Sequence, residues 1–394
     1  MKIVHVTMVD AYSEGWAYHR NIISEKNKCD GNEVSIITTK YRMGDHGETV
    51  LSSPGLSYTK SGIKIIRLND IVPLLPHFVQ DRLHWTHSLY KCIENEKPQI
   101  IFVHNPQFIN LGTVSNYKRN HPQVVLIGDT HADKFVSTGK HPRWSQFINQ
   151  NFWGPLIRRN FKYFDKFCYI GLEQKKFFEE MYKISLKEAE FTPLPAPIVE
   201  SPEKAELRKE IRAELGLDDS TFLFVHSGKL AKPKRTKDIL TALRKNKINC
   251  RLVIIGSIPE DNDELKGLFA EEPRVSYLGW KSGDELRRYL AAADLYLQPG
   301  NMSVTMQNAL ACGTPVMIYP HESYKYFLGD DAIYVKNVDD ILKCFSDIES
   351  DRSILNKLSA KAYEVAHKYF DIGNQAKMMY RLVQNKKEQN DSNN

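Results

Sequence analysis

Disulfide chemistry has little to work with in this chain. Six cysteines stand far apart in 394 residues, at 29, 92, 168, 250, 312 and 344, and no two form a Cys-x-x-Cys pair. A disulfide scaffold and a zinc ribbon are therefore excluded, and the thiols read as reduced and buried, as in a cytosolic protein. No apolar run reaches the roughly 18–20 residues that span a bilayer. The opening stretch Met1–Asp10 turns polar too soon for a signal peptide and reads as a strand. Charge of one sign is scarce as well. With 54 Lys+Arg against 48 Asp+Glu the net charge is +6, too weak alone to argue for nucleic acid but compatible with an anionic substrate or membrane surface. Three loop signatures are also missing. No Gly-x-x-x-x-Gly-Lys-Ser/Thr disfavours a P-loop enzyme, no Gly-x-Gly-x-x-Gly after the first strand disfavours a dinucleotide dehydrogenase, and no Gly-x-Ser-x-Gly weakens a serine hydrolase.

What is present is alternation. Short β-rich runs at 2–8, 33–39, 63–68, 98–103 and 124–127 are separated by helical patterns, including 16–28 and 79–96. The rhythm repeats with strands at 222–226, 251–255, 275–278, 294–297 and 315–319 and helices near 237–245, 284–293 and 303–311. This is the signature of parallel sheets covered by helices on both faces. Phe191–Ile198 carries three prolines and reads as a linker. A helical stretch at 352–385 and a polar tail close the chain. The predicted fold is α/β, with two Rossmann-like doubly wound parallel-sheet domains facing a central cleft. The first spans 1–196, the second 197–370, and 371–394 holds a helix returning to the first domain.

Ligands of such sheets bind outside the carboxyl ends of the strands, so the strand-end loops carry the functional argument. Gly228–Lys237 holds five basic residues in ten, between a strand and a helix. It is either a pyrophosphate clamp, with backbone N–H groups and lysines around an anion, or a solvated basic loop. Gly128–Asp133 follows a buried strand and collects Asp129, His131 and Asp133 at one strand end, which favours a site over core packing.

Taken together, the strand-end motifs resemble a known family. Ser227–Leu230 with Lys234, Leu252–Gly256, Val275–Gly279, Leu290–Pro299 and Asn308–Pro315 come in the order and spacing of family-4 glycosyltransferases of the GT-B fold, the type that builds bacterial surface polysaccharide. The resemblance covers most of 1–385 and is looser in the first half. It implies transfer of a sugar from a nucleoside-diphosphate sugar, a UDP-sugar first among them, to a glycan or lipid-linked acceptor. It further implies retention of configuration, no metal and no cofactor beyond the donor co-substrate. Lys229, where the family usually has Arg, and Lys234 would touch the donor diphosphate and stabilise the charge that develops on the leaving group. Gly279, Trp280 and Lys281 match the loop that cradles the base, Trp280 either stacking on it or packing as core. Gly256 faces the phosphates or is a plain turn.

The sequence departs from the family where two Glu residues usually stand eight apart. The second falls on Asn308 and the first, by spacing, on Gly300. Asn308 can still hydrogen-bond ribose hydroxyls. Ser303, Val304 and Thr305, at a helix start, offer hydroxyls and N–H groups to the diphosphate, or Ser303 is only a cap.

In the first half, His131 and Asp129 are the catalytic candidates, touching donor sugar or acceptor hydroxyl as hydrogen-bond partner or base. The family's His falls on Asp129 by register, so both are named. Asp133, His104 at the end of its strand, and Tyr18 and His19 after the Gly15 loop are placed on the acceptor side. Gly15, in a loop that resembles the glycine-containing loop approaching donor and acceptor in this fold, is placed with the donor and permits close backbone approach, while Tyr18 and His19 read equally as packed helix residues. Trp144, Phe147, Phe152 and Trp153 interleave with Arg158, Arg159, Lys162 and Lys166, either a surface that docks on anionic lipid at the inner face of the cell membrane or an ordinary packed helix. Competing readings are a non-catalytic GT-B-fold subunit that partners an active transferase, then a phosphorylase or epimerase of the same fold. Nucleic acid is not a partner.

Overall fold

A computed structural model describes residues 1–16, 18–44, 49–69, 83–133 and 142–392. The chain divides into two compact units, Met1–Pro193 with the chain from Ile372 onward, and Leu194–Asp371. Thr192 N–H still donates to Tyr169 O of the first sheet, whereas Ala196 N–H donates to Phe370 O in the second unit, so the crossing falls inside the proline-rich stretch. No described helix is long and apolar enough to cross a membrane.

The first unit is built on an eight-stranded sheet. Its strands are β1 (Lys2–Thr7), β2 (Glu33–Thr39), β5 (Gly55–Tyr58), β6 (Lys64–Leu68), β7 (Ile100–His104), β8 (Val125–Thr130), β9 (Lys166–Tyr169) and β10 (Glu190–Phe191). The order is β10-β9-β8-β7-β1-β2-β6-β5, parallel except for β5. A small hairpin, β3 (Tyr41–Met43) with β4 (Thr49–Leu51), was not legible as strands. Every residue of β7 and β8 is buried, as both-face coverage of a parallel sheet demands. Alternate side chains then go to opposite faces. Val4, Val6, Ile101, Val103 and Leu126 join one core. Ile3, Ile100, Phe102, Val125 and Ile127 face another, completed by Ile23 of the helix His19–Cys29 and by Ala376, Met379 and Val383 of the last helix, Ile372–Ser392. His5, His104 and Asp129 share the parity of this second face.

The second unit has a six-stranded, fully parallel sheet, ordered β13-β12-β11-β14-β15-β16. Its strands are β11 (Phe222–Ser227), β12 (Cys250–Ile255), β13 (Val275–Tyr277), β14 (Leu295–Gln298), β15 (Val316–Ile318) and β16 (Ile333–Tyr334). In each sheet the order reverses beside the first strand, between β1 and β7 and between β11 and β14. These switch points are where a doubly wound sheet opens a crevice.

Two helices differ from their sequence expectation. Of the pattern at 79–96, a helix forms over Leu89–Glu96, and residues 79–82 lie outside the described residues. The stretch 352–385 is not continuous: Ser353–Val365 widens into a π-turn at Ala366–Phe370, and extended backbone at Asp371 separates it from the helix that packs on the first sheet.

Candidate active site

In the second unit the strand ends are stitched together through backbone. Gly228 N–H donates to Ile255 O (2.9 Å), Leu230 N–H to Ser257 O (2.8 Å) and Gly256 N–H to Gly279 O (2.7 Å). Tyr277 Oη donates to Gly256 O (2.9 Å). Glycine is obligatory at 256: φ is +144° and a Cβ there would lie 1.8 Å from Gly228 O. The turn Lys232–Lys234 folds Lys234 back over Gly228, where a Cβ would meet its Nζ at 3.0 Å. Lys234 is 5% exposed. Its Nζ is buried and has no hydrogen-bond partner among the described residues. Burial pushes its pKa down to about 8. Below it His226 is fixed: Nδ1–H donates to Leu297 O (2.7 Å), so Nε2 accepts from Thr236 Oγ1 (2.9 Å).

The segment after β14 is tied to the same turn. Asn301 N–H donates to Pro233 O (3.0 Å) and Arg235 Nη1 to Pro299 O (3.0 Å). A Cβ at Gly300 would stand 2.1 Å from Pro233 O. That contact leaves no room for a side chain at 300. The helix Val304–Ala311 follows, capped by Ser303, whose Oγ accepts from Thr305 N–H (3.3 Å) and whose own N–H donates to Tyr324 Oη (2.9 Å). Val304 is exposed and Asn308 half-buried on this helix. Trp280 is 66% exposed, so it is not core. Lys281 is drawn to Glu285 (3.2 Å), beside the capping box of Ser282 and Glu285. Lys229 is exposed. The structure thus gathers Gly228, Lys234, Gly256 and Gly279, with the Ser303 cap reached through the 299–301 contacts.

In the first unit, the corresponding strand ends gather side chains. His104 of β7 and Asp129 of β8 are register partners. Asp129 Oδ2 lies 3.3 Å from His104 Nδ1, 3.3 Å from His19 Nδ1 and 3.1 Å from His131 Nε2. Asn105, in the left-handed region at φ +61°, frames the cluster. Its N–H donates to Asp129 Oδ1 (3.2 Å), its Oδ1 accepts from His131 N–H (2.9 Å) and its Nδ2 donates to Asp10 (2.6 Å). Burial opposes ionisation of Asp129, yet His131 and His104 outweigh it and hold the carboxyl well below the usual range. Burial also lowers His131, but the Asp129 carboxylate overcomes it and the imidazole is raised. Burial keeps His104 low, and lowers His5 strongly.

Asp129 and His104 are fully buried and His19 nearly so. Only His131, with its side chain 19% exposed, opens toward solvent. Asp129 is thus closed to solvent behind His131. Asp133 stands apart, accepting from Gln174 Nε2 (3.1 Å). Gly15 has φ +80° with open space around it. Tyr18 sits under the Arg20 guanidinium (4.3 Å) and stacks on Trp16 (5.4 Å). Sequence reasoning missed His5, Asn27, Arg20, Asn105 and Gln375. For His5 a signal existed, because it shares the face of His104 by strand parity. Arg20 and Asn105 directly follow His19 and His104 in sequence, whereas Asn27 and Gln375 have no spacing to betray them.

Residues 208–365 match the family model for glycosyl transferases group 1. Alpha-galactosylglucosyldiacylglycerol synthase of Streptococcus pneumoniae is 20% identical over 55% of this chain and 61% of its own length. N-acetyl-alpha-D-glucosaminyl L-malate synthase of Bacillus anthracis is 29% identical over 27% of this chain and 29% of its own. The chain thus spans less than two thirds of the curated relatives it matches. Among solved structures, Anabaena Alr3699/HepE in complex with UDP superposes with a TM-score of 0.69 at 14% identity, covering 98% of this chain and 100% of that one. That likeness establishes the fold, two Rossmann-like α/β units of the GT-B class, and the second of them carries the segment that matches group 1 glycosyl transferases.

Proposed function

We propose that this protein is a glycosyltransferase that takes a sugar from a nucleoside-diphosphate sugar, a UDP-sugar by preference. The observation that carries the reading is Lys234. A buried amine with no hydrogen-bond partner among the described residues, on a turn at the carboxyl ends of the strands, has the character of an anion site. The diphosphate would restore the ammonium's missing hydrogen bonds and accept its charge. As the glycosidic bond breaks, negative charge grows on the diphosphate, so the same amine favours the transition state over the ground state. Trp280 supplies a face for the base, and Ser303, Thr305 and the helix start supply further donors. The HepE complexes with UDP and UDP-glucose support this choice of nucleotide.

His131 is the catalytic candidate of the first unit. Asp129 binds its Nε2 side and leaves Nδ1 for a sugar hydroxyl. The reading extends to a glycan or lipid-linked acceptor and to retention of configuration. Trp144, Phe147 and Phe152 are exposed rather than packed, which supports a peripheral approach to a lipid-borne acceptor. The name of the pneumococcal relative, a glycosyldiacylglycerol synthase, points the same way.

Calorimetry with UDP and UDP-glucose on wild type and Lys234→Met tests the donor site, and product release from UDP-sugar with lipid and glycan acceptors tests turnover. Binding lost in the variant supports the donor site. Binding without turnover on any acceptor favours the non-catalytic subunit, a reading also motivated by Gly300 in place of a carboxylate. Failure to bind any nucleotide defeats the donor-site reading and moves the weight to the non-catalytic subunit.

A further inference from the structure

The imidazole cluster of the first unit has a protonation problem, and it can be solved by following hydrogen bonds outward. Gln375 Nε2 donates to Pro193 O (2.6 Å), so Gln375 Oε1 is an acceptor. His19 Nε2 at 2.9 Å from it must carry hydrogen. Tyr380 Oη donates to Asp30 (2.8 Å) and accepts from Asn27 Nδ2 (2.9 Å), so Asn27 Oδ1 is an acceptor. His5 Nε2, 3.0 Å from that oxygen, carries hydrogen. His5 Nδ1 is then a lone pair and accepts from His104 Nε2 at 3.1 Å. Both outer nitrogens of His19 and His104 are committed as donors. In the neutral form of each ring Nδ1 is then a lone pair, and both stand 3.3 Å from the same carboxylate oxygen, Asp129 Oδ2.

Neither Nδ1 has a hydrogen-bond partner among the described residues, and both are buried. With the rings neutral, two lone pairs stand beside an anionic oxygen with no hydrogen placed between them. One proton shared between His131 and Asp129 satisfies only that pair. A divalent cation satisfies all four atoms at once. We propose that His19 Nδ1, His104 Nδ1, His131 Nε2 and Asp129 Oδ2 form a closed site for one zinc ion. The four ligand atoms lie within 4.8 Å of one another. Around a tetrahedral zinc with bonds of about 2.0 Å, ligand atoms stand about 3.3 Å apart. The three distances from Asp129 already match. Three imidazoles and one carboxylate suit zinc among the divalent metals, and four protein ligands mark a structural rather than a catalytic ion. The outer shell is equally regular, because each buried imidazole donates its other N–H to a fixed acceptor.

The ion would join the helix His19–Cys29, β7, β8 and the loop after it. Through Gln375 it would also fix the last helix. It would set the ring of His131 and leave Nδ1 as that residue's free nitrogen. The site does not depend on the nucleotide reading.

The test is metal content of the full-length protein by mass spectrometry, after chelator treatment and zinc reloading, with Co²⁺ substitution for geometry. The expected result is one zinc per chain, a tetrahedral Co²⁺ absorption spectrum, and a Tm raised by about 5–10 °C at a hundredfold excess over Kd. His131→Ala, the least buried ligand, should lose the ion, while His87→Ala, exposed and outside the cluster, should keep it. Gln375→Leu, which leaves all four ligands in place, should weaken zinc binding about 10–100-fold. Less than a tenth of an ion per wild-type chain, with no Tm response, overturns the proposal. So does metal retained at full stoichiometry by both His131→Ala and Asp129→Asn.

Discussion

The two units face the same architectural question at their sheet switch points and answer it with different materials. The second unit builds its strand-end site from backbone: glycines at 228, 256 and 279 bring N–H and C=O groups together, and one buried amine stands over them. The first unit builds from side chains, three imidazoles around one carboxylate, two of them held by an outer partner. Such a backbone site leaves no room for a Cβ where strand ends touch, as at Gly256, but asks little of its neighbours. Side-chain clusters need many distant residues to agree. The contrast predicts where each site will break.

The largest effect should come from Gly256→Ala. A Cβ 1.8 Å from Gly228 O forces the strand ends apart. A loss of about 3–5 kcal/mol in chemical denaturation is expected, with nucleotide binding abolished. Gly279→Ala is the comparison. Its φ is +67°, but nothing lies within 4 Å of the added carbon, so a loss of about 1 kcal/mol is expected. Equal costs at the two positions would show that crowding against Gly228 is not what glycine 256 relieves.

In the first unit, His104→Leu should cost about 2–4 kcal/mol, because His5 Nδ1 loses its donor and remains buried. Here the damage should spread along the relay. Faster amide exchange at Asn27 and in the last helix near Tyr380 is the expected signature, and exchange confined to β7 would argue against the relay.

Lys234→Met sharpens the comparison in the other direction, since it should weaken nucleotide affinity and strengthen the fold. Losing a charge-assisted bond to diphosphate should reduce affinity about 10–100-fold. The amine's pKa of about 8 lies below its unfolded value. The unfolded chain therefore binds the proton more tightly, and the cost of burying the charge is fully present below pH 8. It is relieved as pH rises from 8 toward the unfolded value. The wild type should thus gain stability over that window, by an amount on the order of 3 kcal/mol, and Lys234→Met should hold it already at pH 7. Affinity for UDP runs the opposite way, falling above pH 8 as the free enzyme loses the proton that binding requires. Calorimetry and urea titrations at pH 7 and pH 9 measure both slopes.

How much of this was legible follows the same division. The strands, their parallel order and the second-unit loop were readable because each is local: an apolar run ending at glycine, then a basic turn. Lys234, Gly256 and Gly279 were named from short windows of chain. What short windows could not carry was burial. Lys229 and Lys234 look alike in sequence, and only the turn Lys232–Lys234 separates the exposed one from the buried one. The first-unit cluster was half readable. Asp129 and His131 share a strand end, and His104 and His19 were singled out separately. Their convergence, with His5 and Gln375 behind them, depends on strand parity and on a helix that returns from 356 residues away.

Trp280→Ala should have the smallest effect and is the most discriminating for the nucleotide. A side chain 66% exposed contributes little to the core, so stability should change by no more than about 0.5 kcal/mol. If the indole stacks on the uracil ring, UDP affinity should fall about 3–10-fold, the worth of one aromatic stack. Affinity for inorganic pyrophosphate, which has no base, should stay unchanged. A parallel loss for both ligands would place the effect in the Gly279 turn rather than in stacking. No loss for either would leave the second-unit site with backbone and Lys234 alone, and base selection would then rest on the backbone around Gly279.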